Sequence, residues 1–186
     1  MIPDDVVARI RAGDAQAFEL VFRTYYSALI AFTRRFVESR AIAEEVVQEL
    51  FADIWVDRAT LRVQSTLRGY LYAAVRNRSL NVRRRRLVED RWSRAAVDPA
   101  DGHLHPVAGI DDELERDDQY QRLVAALASL PPRMRLTMEL RWRDRLSYQE
   151  IAEALDISAK GVENQLARGL KALREVMRGS APDGMA

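Results

Sequence analysis

The 186-residue chain has no cysteine and only two histidines. Disulfides, thiol catalysis and cysteine zinc sites are therefore excluded. His103 and His105 lie two residues apart, with few neighbours that could complete a metal site, so we expect no metal and no cofactor. Lysine is also scarce, at positions 160 and 171 only, and the positive charge of the chain is almost entirely arginine.

Long apolar runs are missing too. No window approaches the roughly 18–20 apolar residues that a membrane span requires. The N-terminus has no basic stretch followed by an apolar run, as a signal peptide would. We therefore expect a cytoplasmic protein. A glycine-rich phosphate loop and a Ser/His/Asp constellation are also absent, so we expect no catalytic residues and no enzymatic activity.

Helical periodicity dominates what is present, and no segment shows sustained two-residue alternation. Three amphipathic runs span residues 18–36, 42–55 and 67–80, and Asp14 is a candidate N-cap for the first. The predicted fold class is all-α, with two small helical domains joined by a flexible linker. Residues 1–94 form the N-terminal helical bundle in this prediction.

The composition changes over residues 95–119, where proline and glycine interrupt the helical period and an acidic run follows at 111–118. This stretch is the predicted linker. A second helical domain is predicted over residues 120–178, with a helix that ends before Pro131 and Pro132. The last residues, 179–186, are predicted to be a disordered tail.

The stretch LSYQEIAEALDISAKGVENQLARGLKALREVM, residues 146–177, predicts two helices joined by a tight corner. Ser147 and Glu150 have the spacing of a capping box. Asp156 is placed at the corner, and Ser158 can cap the second helix. This pattern is typical of a helix-turn-helix, whose second helix lies in the DNA major groove. Two amphipathic helices of an ordinary bundle, with a solvated charged face, are the alternative.

The predicted outward face of the second helix carries the candidate reading residues. Asparagine and arginine read base edges, whereas lysine mostly contacts phosphate. Glu163 either reads a cytosine amino group or tilts away from the DNA. The candidates are Lys160, Glu163, Asn164, Ala167, Arg168 and Lys171.

A second nucleic-acid surface is predicted on the helix LRGYLYAAVRNRSLNVRRRR, residues 67–86, which holds seven arginines and no acid. Such a charge run favours a polyanionic partner. Tyr70 and Tyr72 could stack on unpaired bases. Alternatively, Tyr70 belongs to the core and the arginines only solvate the helix. The candidate residues are Tyr70, Arg76, Asn77, Asn81, Arg83, Arg84, Arg85 and Arg86.

Three motifs, AEEVVQELFADIW (43–55), LRGYLYAAVRNRSLNVRRR (67–85) and LPPRMRLTMELRWRDRLSYQEIAEALDIS (130–158), resemble the bacterial extracytoplasmic-function (ECF) sigma factors. The resemblance implies a non-catalytic subunit that directs core RNA polymerase to promoters and melts promoter DNA through its N-terminal domain. It implies three partners: bacterial core RNA polymerase, promoter DNA and an anti-sigma factor.

The resemblance also implies roles for particular residues. Glu45, Gln48 and Glu49 would dock on the polymerase. The loop 57–66 would hold a flipped base of the downstream promoter element, with Asn77 beside it, and the C-terminal helix pair would bind the upstream element. Many relatives have threonine in place of Gly161 and a basic residue in place of Glu163. The acidic run of the linker either mimics RNA phosphates or is simply solvated.

A conventional helix-turn-helix regulator is the alternative function. Such a protein would bind duplex DNA by itself as a dimer, with no role as a polymerase subunit. The arginine-rich helix of the N-terminal domain favours the sigma factor, because a dimerisation domain has no use for it.

Overall fold

The computed structural model describes the backbone of residues 2–93 and 118–179, with side chains over 2–86 and 122–176. Within these ranges the regular structure is helical and contains no strand, so the all-α prediction is confirmed. The chain forms two compact units. Most of the predicted linker, the pair His103 and His105, and all but the first residue of the predicted tail lie outside the described residues.

The N-terminal unit is built from four helices and one short 3₁₀ turn. Its elements are α1 (Val6–Arg11), α2 (Ala15–Thr33), α3 (Arg40–Val56), the 3₁₀ turn Arg58–Thr60, and α4 (Leu67–Ser93). The three predicted runs correspond to α2, α3 and α4. Helix α1 was not predicted, because its six residues are too few to show a helical period.

Asp14 caps α2 as predicted. Its carboxylate accepts hydrogen bonds from the backbone N–H groups of Gln16 (2.9 Å) and Ala17 (3.1 Å), and Arg9 donates to it at 2.9 Å. The bond from Ala17, followed by that from Arg9, lowers the pKa of Asp14. These bonds fix the start of α2 and tie it to α1.

Helices α2, α3 and α4 pack around a shared aromatic core. Phe51 of α3 lies edge-on to Phe22 of α2, with ring centroids 4.9 Å apart. Phe32 of α2 lies 4.9 Å from the ring of Tyr72 on α4. Tyr72 is only 1% exposed, so its predicted role in stacking on bases is wrong. The ring is needed to fill the core.

Residues 118–179 form four helices: α5 (Asp118–Ser129), α6 (Pro132–Trp142), α7 (Tyr148–Leu155) and α8 (Ala159–Gly179). Pro132 opens α6 at its first position, where the missing N–H would lack a helical partner anyway. None of the described helices of either unit is both long and apolar enough to span a membrane.

Two contacts join α8 to α6. The buried Thr137 hydroxyl lies 2.6 Å from the side-chain oxygen of Gln165. Gly169 is buried against Met138 and Met134, and a Cβ atom added there would overlap the Met138 sulfur. The absence of a side chain at Gly169 therefore lets the two helices approach closely.

Candidate nucleic-acid interface

The first helix of the C-terminal pair begins with the predicted capping box. The backbone N–H of Ser147 donates to the Glu150 carboxylate at 2.8 Å, and the N–H of Glu150 donates to the Ser147 hydroxyl at 3.2 Å. These reciprocal bonds satisfy two N–H groups that a helix start leaves without partners. They define where α7 starts and hence where the corner falls.

The corner between α7 and α8 is made by Asp156, whose φ of 55° lies in the left-handed region. The next N–H, of Ile157, donates to the Ala152 carbonyl at 3.0 Å. Ser158 then caps α8 by accepting a hydrogen bond from Gly161 N–H at 3.0 Å. Asp156 and Ser158 thus occupy the positions predicted for the corner and the second cap.

Helix α8 has one buried and one exposed side. Val162 and Leu166 are buried, as predicted. All six predicted reading residues are exposed: Lys160, Glu163, Asn164, Ala167, Arg168 and Lys171. Their spacing of three and four places them on one face. On that face the Lys160 ammonium lies 2.8 Å from the Glu163 carboxylate, in an ion pair that is itself exposed.

Helix α4 presents most of its predicted nucleic-acid residues at the surface. Asn77, Asn81, Arg84 and Arg85 are exposed, and Tyr70, Arg76, Arg83 and Arg86 are partly exposed. Of the two tyrosines predicted to stack on bases, Tyr70 is partly exposed and Tyr72 is buried. A face of arginines and amides suits phosphate and base-edge contacts.

Two arginines of α4 are engaged by carboxylates from elsewhere in the N-terminal unit. Arg78 lies 2.9 Å from Asp53 of α3, and Arg86 lies 3.4 Å from Glu38 in the segment before α3. The sequence prediction missed both acids, because they lie 25 and 48 residues away from their partners. The one signal in the sequence concerned Asp53, which follows Glu45 and Glu49 at four-residue spacing.

The loop 57–66 before α4 is held at its C-terminal end and in its middle. Thr66 accepts a hydrogen bond from Gly69 N–H at 3.0 Å, which caps α4. The buried Leu61 anchors the middle, and its carbonyl accepts from the Arg11 guanidinium at 2.7 Å. Arg62, Gln64 and several smaller side chains of the loop remain exposed.

The predicted docking residues Glu45, Gln48 and Glu49 are all exposed on α3. Gln48 donates to the Tyr26 hydroxyl of α2 at 3.1 Å, which orients its side chain. Glu45 and Glu49 line a groove between α3 and α4 together with Arg85 and Arg86. In the part of the chain that the structure describes, no cluster of His, Cys, Asp and Glu could hold a metal.

The two units match two family models. Sigma-70 region 2 matches residues 21–87, and Sigma-70, region 4 matches residues 120–173, about two thirds of the chain together. The ECF RNA polymerase sigma-E factor of Escherichia coli (strain K12) is 26% identical over 173 residues, which are 90% of each chain. The ECF RNA polymerase sigma factor SigK of Mycolicibacterium vanbaalenii is 24% identical over 179 residues, 94% of this chain and 88% of SigK.

Solved structures share the fold. The sigma factor RpoE of Bartonella quintana, crystallised with the anti-sigma factor NepR, aligns with a TM-score of 0.57 at 22% identity, over 90% of this chain and all of RpoE. CnrH in complex with the cytosolic domain of CnrY aligns with a TM-score of 0.58 at 19% identity, over 95% and 97% of the two chains. The chain therefore belongs to the sigma-70 family and is an ECF sigma factor, a subunit of RNA polymerase.

Proposed function

We propose that this chain docks on bacterial core RNA polymerase through Glu45, Gln48 and Glu49 and directs it to promoters with two separate DNA surfaces. The observation that carries the proposal is the presence of two different surfaces on one chain. One is the single reading face of α8, and the other is the arginine and amide face of α4. A regulator that binds only duplex DNA needs the first and has no use for the second.

The upstream promoter element is the proposed ligand of α8. Asn164 and Arg168 have side chains that pair bidentately with base edges, and Lys160 and Lys171 suit phosphates. Glu163 can accept a hydrogen bond from the amino group of cytosine but cannot approach a phosphate favourably. The Lys160 ion pair places that carboxylate next to a phosphate-binding cation.

The downstream element and the melted strand are the proposed ligands of α4 and the loop before it. The partly exposed ring of Tyr70 can stack on a base, and Asn77 and Asn81 can read base edges. Arg76 and Arg83 to Arg86 would hold the backbone. Flipping a base costs a few kcal/mol of unstacking. Contacts from the loop, which hydrogen bonds hold at Leu61 and Thr66, would have to recover that cost.

An anti-sigma factor is the further proposed partner. The solved relatives RpoE and CnrH were each captured with another protein, named as an anti-sigma factor in the first case. A chain with two exposed DNA surfaces and an exposed docking face needs a partner of this kind to remain inactive until required. Action at promoters would place the chain in the cytoplasm.

Binding of the full chain to purified core RNA polymerase tests the proposal. We expect tight binding that a Gln48→Ala, Glu49→Ala variant weakens by about tenfold or more, because docking residues at such interfaces dominate affinity. Gln16→Ala, Glu19→Ala is the matched control, since it removes the same two residue types from exposed positions of α2. Failure of the folded wild-type chain to bind core polymerase contradicts the proposal.

A further inference from the structure

Four carboxylates form a line beside the arginines of α4. Glu38 lies just before α3, and Glu45, Glu49 and Asp53 follow on α3 at four-residue spacing, which places them on one side of the helix. We call Glu38, Glu45, Glu49 and Asp53 the acidic stripe. Two of its members, Glu38 and Asp53, have no role in the docking or DNA contacts proposed above.

The acidic stripe contacts α4 between Arg78 and Arg86. Asp53 pairs with Arg78 at 2.9 Å near one end, and Glu38 pairs with Arg86 at 3.4 Å near the other. Between these pairs, Glu45 and Glu49 line one groove with Arg85 and Arg86, over an apolar floor that includes Val82. The proposed docking residues and the proposed DNA-binding residues therefore meet in a single groove.

The two ion pairs between the stripe and α4 are accessible to a competing ligand. The Arg78 side chain is 33% exposed and Asp53 is 58% exposed, while Arg86 and Glu38 are 43% and 72% exposed. A carboxylate and a phosphate can each offer arginine two oxygen acceptors for a bidentate pair of hydrogen bonds. A phosphate that approaches Arg78 or Arg86 must therefore displace a carboxylate, and at these distances the two ligands also repel each other.

We propose that the acidic stripe is an internal competitor for nucleic acid. In the free chain it engages the arginines of α4 and weakens their binding to DNA. A partner that covers the whole stripe, from the proposed polymerase contact at Glu45 and Glu49 out to Glu38 and Asp53, releases the arginines. Glu38 and Asp53 are then positioning residues that act through Arg86 and Arg78. This inference rests on the proposed function of both surfaces.

The proposed coupling between polymerase docking and nucleic-acid binding must act in both directions, on thermodynamic grounds. Any ligand that raises the affinity of the chain for nucleic acid must itself bind more tightly when nucleic acid is present, by the same factor. Docking on polymerase and binding of the melted strand would thus favour each other within one helical unit. The free chain would show little affinity for chromosomal DNA, although residues 67–86 of α4 carry seven arginines.

The first test measures binding of the free full-length chain to a fluorescent single-stranded oligonucleotide, by anisotropy at several salt concentrations. A Glu38→Gln, Asp53→Asn variant should bind roughly fivefold more tightly, since exposed ion pairs are individually weak. Its salt dependence should be steeper, by up to about 0.7 in the log–log slope for each arginine that gains a phosphate. A merely structural role for these acids would lower the affinity instead.

The control for total charge is Glu19→Gln, Glu44→Gln. These two acids also form ion pairs at 2.6 Å, with Arg23 and Arg40, but lie outside the stripe. An equal gain in affinity for the oligonucleotide in the control variant would overturn the inference, because the lower negative charge of the chain would then explain the result. So would a stripe variant that binds no more tightly than wild type. Asp53→Glu keeps the charge, and its affinity should stay close to that of wild type.

The second test repeats the binding measurement with the chain bound to core polymerase. The gain in affinity of the stripe variant should shrink towards none, because a polymerase seated on Glu45 and Glu49 would then also cover Glu38 and Asp53. A gain that persists undiminished in the complex would contradict release by docking. If wild type fails to bind core polymerase at all, the proposed function fails. If it binds but the stripe variant behaves like the control, only this inference fails.

Discussion

Glu139 on α6 is a carboxyl group that folding removes partly from water. Desolvation raises its pKa above the usual value, the charge of Asp144 raises it further, and the charge of Arg135 opposes both. Because the folded-state pKa is raised, the ionised form is disfavoured by folding. The stability that the protonated form contributes is complete below the ordinary pKa and is lost as pH rises through the folded-state pKa.

A Glu139→Gln substitution should therefore stabilise the C-terminal unit near neutral pH. We expect the melting temperature to rise by a few degrees at about pH 7, and the gain to vanish as the pH falls below the ordinary glutamate pKa. Thermal melts followed by circular dichroism from acid to neutral pH measure this. Glu175→Gln, at an exposed position of α8, is the control and should show no such pH-dependent gain.

At the level of the element, the two glycines inside α8, Gly161 and Gly169, have different surroundings. Gly169 is buried where α8 crosses α6, and an added methyl group would overlap Met138. Gly161 lies in the first turn, where the nearest atom to an added methyl is the Ser158 hydroxyl oxygen at 3.3 Å. Elsewhere in a helix, alanine is preferred to glycine by up to about 1 kcal/mol.

The same substitution should thus have opposite effects at these two positions. Gly169→Ala is expected to destabilise the chain by about 1–3 kcal/mol through overpacking. Gly161→Ala should stabilise it by about 0.5 kcal/mol through helix propensity. Urea unfolding of both variants measures the difference in the free energy of unfolding. A stabilising Gly169→Ala would mean that the methionines of α6 move aside without cost.

The sequence predicted the elements that rest on local rules. The cap at Asp14, the capping box of Ser147 and Glu150, and the corner at Asp156 all depend on neighbouring residues. The exposed face of α8 was predicted as well, because it is what remains once the inward positions are assigned. These features need no knowledge of tertiary contacts.

The burial of Tyr72 and the ion pairs of Arg78 and Arg86 could not be predicted in this way. Helix α4 packs against both α2 and α3, so its buried side is wider than the stripe that Leu71 and Val75 define, and it includes Tyr72. The partners of Arg78 and Arg86 come from the packing of distant segments. Periodicity assigns a residue to a face but does not show which residue lies opposite it.

For the molecule as a whole, a net charge of +1 conceals two positively charged surfaces, for which we propose different ligands. If each surface binds its own promoter element, variants of the two surfaces should lose different responses. This can be tested on promoters selected with the reconstituted polymerase complex. An Asn164→Ala, Arg168→Ala variant should lose its response to changes in the upstream element. Its activity should fall by about tenfold or more, since each bidentate base contact contributes about 1–3 kcal/mol of discrimination.

An Asn77→Ala, Asn81→Ala variant should behave in the opposite way. It should still respond to the upstream element but open the promoter poorly, and a template that already contains a bubble should restore its transcription. Single-round transcription on duplex and premelted templates measures both responses. If the bubble rescues the two variants equally, the proposed separation of the surfaces is wrong.

The construction of α8 also bears on how such a protein can diverge. The hydrogen bond between Thr137 and Gln165, together with the close contact at Gly169, sets the rotation of the helix about its own axis from the buried side. The six exposed residues contribute nothing to that constraint. In their proposed role as DNA-reading residues, they can therefore be mutated to change the recognised sequence at little cost in stability. A duplicated gene could acquire a new set of promoters through these few codons while the fold remains intact.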